Sequence, residues 1–143
     1  DVERSRGLGD VYKRQQKRFK YMLQNRLSLY RTITIRQEYL EQIREQRKTV
    51  EGRIFKGIFT NLQQGNRIKF VATNNSHNYV YCKVISTKRY TNFREMLHGE
   101  GFQNCLPNAS SLRKAIDVYN NIPRYRHQVA VYGAIAIRIE VIG

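Results

Sequence analysis

Residues 32–54 read TITIRQEYLEQIREQRKTVEGRI. Thr32-Ile33-Thr34-Ile35 is a β-branched run, the composition of a short strand. In residues 36–46, Tyr39, Leu40 and Ile43 fall on one face at helical spacing. Glu38, Glu41, Arg44 and Glu45 fall on other faces, which predicts an amphipathic helix. From Lys48 to Phe55, Thr, Glu and Arg alternate with Val, Gly and Ile, a pattern suited to a second strand. The stretch is strand, helix, strand.

Downstream, Gly57 and residues 61–66 are turn material, and residues 67–73 form a third strand. Residues 74–78 (NNSHN) read as a polar hairpin loop. Residues 79–90 read as a long fourth strand alternating around Val80, Cys82 and Val84. Asn92, with Glu95 three residues later, resembles a capping box, ahead of a short helix burying Phe93, Met96 and Leu97. Gly99 and Gly101 end that helix. Ser110 or Ser111 can cap another helix, packed through Leu112, Ala115, Ile116 and Tyr119 and stopped by Pro123. Residues 124–127 (RYRH) fall in the loop before the last strand. That strand, residues 132–142, puts Ile135, Ile137, Ile139 and Val141 on one face and Ala134, Ala136 and Arg138 on the other. Upstream, Phe19, Leu23 and Leu27 give residues 19–29 some helical spacing. This order predicts an α+β fold, a mixed-sheet β-barrel flanked by two to three helices.

The chain has 143 residues, enough for one domain, and 41% of them are hydrophobic, enough for one core rather than a disordered basic tail. No apolar run approaches the roughly 20 residues of a membrane span. Cys82 and Cys105 form neither a disulfide framework nor a zinc set, which makes a reducing, cytoplasmic setting the expectation. Cys82 and Cys105 both read as packing residues. His77, His98 and His127 lie far apart without carboxylates or cysteines at ligand spacing, so no metal and no cofactor is expected. The net charge is +15, and a protein this basic attracts nucleic acid through counterion release.

Residues 5–15 (SRGLGDVYKRQ) resemble the in-frame translation of a transposase sequencing adaptor. Residues 1–15 are therefore set aside as non-native, with a metagenomic origin implied, and residues 16–31 are left as an uncertain N-terminal segment. The segment 1–15 holds four basic and three acidic residues, so nearly all of the charge belongs to residues 16–143, within which residues 32–143 are the predicted domain. Met22 is a candidate true start.

Residues 32–54 resemble the opening of an ASCH domain, a member of the PUA-like β-barrel superfamily. That family runs strand, helix, then G-x-K-x-x-E-x-R. Lys48, Glu51 and Arg53 fill the K, E and R places, and Gln46 stands where Gly is usual. FTNLQQGNRIKF (59–70), RYTNFREMLHGEGFQNCLPNASS (89–111) and VYGAIAIRIEV (131–141) are similar to three further family regions, in the right order.

Glu51 and Arg53, two apart on a strand, point to one face, and Lys48 lies at the turn leading into it. Together they can line a cleft mouth, or form an ordinary exposed salt-bridge ladder. The resemblance favours the cleft and implies RNA, or a modified nucleoside within it, as ligand. Arg53 would grip a phosphate or base edge, and Lys88, Arg89, Tyr90, Arg124 and Arg126 would add basic and stacking contacts. Tyr79 and Tyr81 share a face with Lys83, either as stacking residues or as half-buried core. One ASCH branch hydrolyses N4-acetylcytidine with a Lys, a Thr and a Glu. Lys48 matches the Lys and Glu100 is the nearest acid, but the Thr place is Glu51. A hydrolase of acetylated cytidine or of RNA, with Lys48, Glu51 and Glu100 as catalytic residues, is therefore one alternative. A transcription-coactivator-like interaction module is the other. No membrane partner is expected.

Overall fold

The computed structural model describes residues 7–19 and 30–143. Residues 7–19 are helical (α1) and exposed along their length. The expected helix over 19–29 lies outside the described residues except for Phe19, which ends α1. The remaining elements are β1 (Tyr30–Ile35), α2 (Gln37–Arg44), β2 (Val50–Ile54), a single 3-10 turn (Gly57–Thr60), β3 (Arg67–Ala72) and β4 (Asn75–Tyr90). They are followed by α3 (Phe93–Glu100), α4 (Phe102–Cys105), α5 (Leu112–Asn120), α6 (Tyr125–Tyr132) and β5 (Ala134–Val141).

The five strands form one mixed sheet in the order β1-β3-β4-β5-β2, curled into a half-barrel. β1 and β3 run parallel, and the other three pairings are antiparallel. The first and last strands in this order, β1 and β2, are the two sheet edges, joined in sequence by α2.

Strand alternation divides the interior in two. Ile135, Ile137 and Ile139 of β5 face the inside of the curl, with Ile33, Ile35, Ile68, Phe70, Val80, Cys82 and Val84. Leu40 and Ile43 of α2 are buried in the same cluster. Ala134 and Ala136, on the other face of β5, meet α3, α4, α5 and α6 through Phe93, Met96, Leu97, Cys105, Ala115, Tyr119 and Val129. Alanines there let helices come close to the strand, while the β-branched isoleucines fill the barrel.

The caps fall where the sequence signals them. Asn92 Oδ1 accepts from the Glu95 backbone N–H at 2.8 Å, and Ser111 Oγ from that of Lys114 at 3.1 Å. Two loops differ from expectation. The hairpin between β3 and β4 turns at residues 73–74, and β4 already starts at Asn75, which pairs with Ala72. The register then jumps to Val71 with Tyr79, leaving residues 76–78 as a wide bulge. Polar side chains hold it: Asn75 Oδ1 accepts from the His77 N–H, and Asn78 is gripped by Arg44 and Glu41. Residues 124–127 are not a loop. Arg124 caps α6 and residues 125–127 form its first turn. That helix buries only Val129 fully, so it has no apolar stripe to read; Tyr125 anchors it by stacking on Phe93, centroids 5.6 Å apart. Gly133, at φ 77°, then breaks the chain, so Tyr132 ends the helix instead of starting β5.

The turn after α2 delivers the chain into β2. Gln46 adopts φ 63°. Its N–H donates to the Ile43 carbonyl, and the Arg47 N–H to that of Gln42, each at 2.9 Å, a Schellman closure. A side chain at positive φ costs roughly 1–2 kcal/mol, partly offset by the lower chain entropy lost on folding compared with glycine. Gln46→Gly is therefore expected to stabilise the fold by about 0.5–1 kcal/mol, read as a raised thermal midpoint. An unchanged or lower midpoint would show that the turn is not strained.

Candidate functional site

The β2 segment Glu51-Gly52-Arg53 runs along one sheet edge, in register with Ile137-Ala136-Ile135 of β5. Alternation turns Glu51 and Arg53 toward the curl and Gly52 toward the helices. Gly52 lets those helices come close, and a larger residue would have to displace the ends of their side chains. A Cβ there would lie 2.5 Å from Met96 Cε and 3.0 Å from the Tyr119 hydroxyl.

Lys48, expected at a cleft mouth, is instead buried at 2% exposure. Its ammonium donates to the Cys105 carbonyl at 2.5 Å and the Val50 carbonyl at 3.0 Å, and lies 3.3 Å from Glu51 Oε1. Three acceptors for three protons make this burial tolerable. One comes from α4, a helix with no sequence signal of its own. α4 is moored by its chain, since the Thr49 N–H donates to the Asn104 carbonyl at 3.0 Å.

Glu51 is also buried and fully engaged. Oε1 accepts from the Gly52 N–H at 3.1 Å, and Oε2 from Arg53 Nε and Nη2 at 3.2 and 3.0 Å. Burial pushes its carboxyl upward, but the Lys48 and Arg53 charges outweigh this and hold it below the usual 4.5. Arg53 then reaches across the gap between the sheet edges, and Nη2 donates to the Thr34 carbonyl of β1 at 2.8 Å. Burial lowers its guanidinium and the Glu51 carboxylate raises it, with a net rise. The alternative of an exposed salt-bridge ladder does not hold.

Above this triad lies a cavity of about 220 Å³. Lys48, Glu51, Gly52 and Arg53 line it, with Tyr39 of α2, Tyr119 of α5 and Tyr125 of α6. Arg36, Thr34 and Thr73 stand around it from the β1 side. Burial raises all three tyrosine hydroxyls, with the Glu38 carboxylate adding to this at Tyr39 and the Glu51 carboxylate at Tyr119 and Tyr125, so each stays neutral at physiological pH. The aromatic lining was missed in the sequence, where Tyr39 and Tyr119 read only as packing residues. Arg124 and Arg126 are exposed on either side of Tyr125.

Glu100 does not join this cavity. It accepts a short hydrogen bond from the Tyr90 hydroxyl, and its other oxygen lies 3.7 Å from Arg138 Nε. With Lys88 and Arg138 it lines a separate polar recess over β4 and β5. Burial and the Glu100 contact push the Tyr90 hydroxyl up to about 12. Lys88 lies 5.3 Å from the Tyr90 ring centroid, and Arg89 stacks 3.8 Å from that of Phe55. The structure thus gathers Lys48, Glu51 and Arg53, and holds Lys88, Tyr90 and Glu100 apart from them. Cys82 and Cys105 are buried, and burial pushes both thiols up to about 12. Among the described residues, no three His, Cys, Asp or Glu side chains stand together as metal ligands, and no helix is long and apolar enough to cross a membrane.

Removing one partner from a buried ion pair costs about 3–5 kcal/mol, so Lys48→Ala is expected to lose that much in chemical denaturation. A loss below 1 kcal/mol would show a solvated pair. Because the folded Glu51 carboxyl is lowered, its stabilisation is present above the unfolded value of 4.5 and is lost as pH falls through the folded value. Glu51→Gln is thus expected to be less stable at neutral pH and to lose stability less steeply below pH 4.5. An acid limb as steep as the parent's would contradict this.

Residues 33–143 match the sequence model of the ASCH domain. The hypothetical protein PH0355 has a similar crystal structure, with 30% identity over 78% of this chain and 97% of its own, and a TM-score of 0.70. Protein PF0455 from Pyrococcus furiosus is 28% identical over 80% of this chain and 98% of its own, with a TM-score of 0.63. A mutant ASCH protein from Zymomonas mobilis shares the fold at 16% identity and a TM-score of 0.52, over 76% of this chain and 66% of its own. No functionally curated protein matches in sequence. The family match takes in every strand of the sheet, in whole or part, together with the buried triad, and the chain belongs to the ASCH domain family.

Proposed function

We propose that this protein binds RNA and receives a single base or modified nucleoside in the cavity over Lys48, Glu51 and Arg53. The carrying observation is the cavity itself. It joins an ionic floor to tyrosine walls, and its 220 Å³ lies below the roughly 300–1,000 Å³ of drug-sized ligand sites. One splayed-out base, stacked on an aromatic ring and hydrogen-bonded at its edge, suits that space. Arg53 is the most exposed member of the triad. Its side chain is 19% exposed, and its planar fork suits a base edge or phosphate. Lys48 and Glu51 act through it by fixing its position. Exposed Arg36, Arg124 and Arg126 would take the flanking phosphates, in keeping with the net charge of +15.

Binding is favoured over hydrolysis on two grounds. Glu51, at the place of the hydrolytic branch's Thr, has no hydroxyl, and its carboxylate is tied to Lys48 and Arg53. Glu100, the nearest match for that branch's acid, lines a different recess.

The test is anisotropy of labelled single-stranded and hairpin RNA, with matched DNA, over a salt series. Saturable binding that prefers RNA at near-physiological salt is expected. Arg53→Ala should weaken it by about 2 kcal/mol, roughly thirtyfold. Equal binding of RNA and DNA, abolished by salt, would reduce the partner to any polyanion and overturn the reading.

A further inference from the structure

The outer face of the sheet carries a second cluster that the cleft does not use. On β1, β3 and β4 the inward positions Ile33, Ile68, Phe70, Val80 and Cys82 are buried. The alternate positions present Tyr30, Tyr79 and Tyr81 among Arg67, Lys69 and Lys83. Tyr81 lies at the centre, 4.4 Å from the Tyr30 ring and 5.3 Å from that of Tyr79, centroid to centroid. Lys69 sits 4.3 Å from the Tyr79 centroid, and Arg67 5.8 Å from that of Tyr30.

Cross-strand packing alone accounts for some of this, since aromatic pairs and cation–π contacts stiffen a sheet. It does not account for the exposure. Tyr30 and Tyr79 are 38% and 41% exposed, on the side of the sheet away from the barrel core. The rings are tilted rather than coplanar, 48° between Tyr30 and Tyr81 and 65° between Tyr79 and Tyr81, so each exposed ring can take a base of its own beside a cation that can meet a phosphate. Glu140 stands opposite Lys83 in the register, so the net positive charge lies toward β3.

We infer that this face is a stacking platform for single-stranded RNA, separate from the cleft. The choice of RNA over DNA rests on the function proposed above. Bases stack on Tyr79 and on Tyr30, Tyr81 braces both rings, and Arg67 and Lys69 follow the backbone. A strand lying here contacts the protein in a sequence-tolerant way, while the cleft takes the one base that is read.

The experiment is anisotropy of a labelled oligouridylate against the full chain and its variants over a salt series, with thermal melting to confirm folding. Tyr79→Leu keeps apolar bulk but removes the π-face, and is expected to weaken binding about tenfold. Tyr79→Phe keeps the ring and should bind within about twofold of the parent. Lys69→Gln should lower the salt slope by about one phosphate contact. Folded Tyr79→Leu and Lys69→Gln proteins with parental affinity and slope would overturn the platform, and a loss confined to Arg53→Ala would leave the cleft reading standing alone. Loss in the face variants with Arg53→Ala unaffected would uphold the platform and overturn the cleft. Absence of oligouridylate binding by the parent would overturn the platform, whereas the cleft is judged by the RNA and DNA panel.

Discussion

A lysine ammonium cannot leave water unless each of its protons meets an acceptor, and Lys48 leaves water almost completely. Its acceptors come from three places: the Val50 carbonyl at the start of β2, the Glu51 carboxylate and the end of α4. Satisfying it fixes the position of α4 against β2. It also places a buried negative charge beside Arg53. Arg53 then spans the open side of the barrel, where no backbone ladder joins β1 to β2. The ion triad thus links the sheet edges and forms the cavity floor. Fold and candidate site share the same few atoms, so substitutions here are expected to move stability together with the proposed RNA affinity.

The helices complete what the triad begins. α2 brings Tyr39 over Lys48, 5.5 Å from ammonium to ring centroid, and α5 and α6 bring Tyr119 and Tyr125. These rings wall the cavity and, with Phe93, continue into the second core. A recess between a sheet edge and a helical layer thus brings tyrosine hydroxyls and the Arg53 side chain around one small volume, the arrangement on which the proposed base recognition rests.

The strands were legible because β-branched alternation is a local signal. Thr32 to Ile35 and Ile135 to Ile139 declare both the strand and its buried face, and Asn92 and Ser111 mark their helix starts. Residues 124–132 were opaque because α6 is held by one stacked tyrosine and one buried valine, without a repeating stripe. The bulge at 76–78 was opaque because asparagine side chains hold it, and these read as turn formers. For the site, spacing put Glu51 and Arg53 on one face, and the resemblance to the ASCH pattern added Lys48. Neither could show that the lysine is buried, since its acceptors include a carbonyl 57 positions away. Nor could spacing separate Glu100 from the triad, because Tyr90 and Arg138 hold it on the far side of β5.

The central claim is that the triad presents Arg53 to a nucleobase. The most direct measurement follows the Arg53 Nε–Hε resonance, with the Gly52 and Tyr125 amides, by NMR during titration with single-stranded RNA. The account predicts saturable shifts at all three, with the same affinity as the bulk binding curve. RNA binding that leaves the Arg53 and Gly52 resonances unmoved would contradict it.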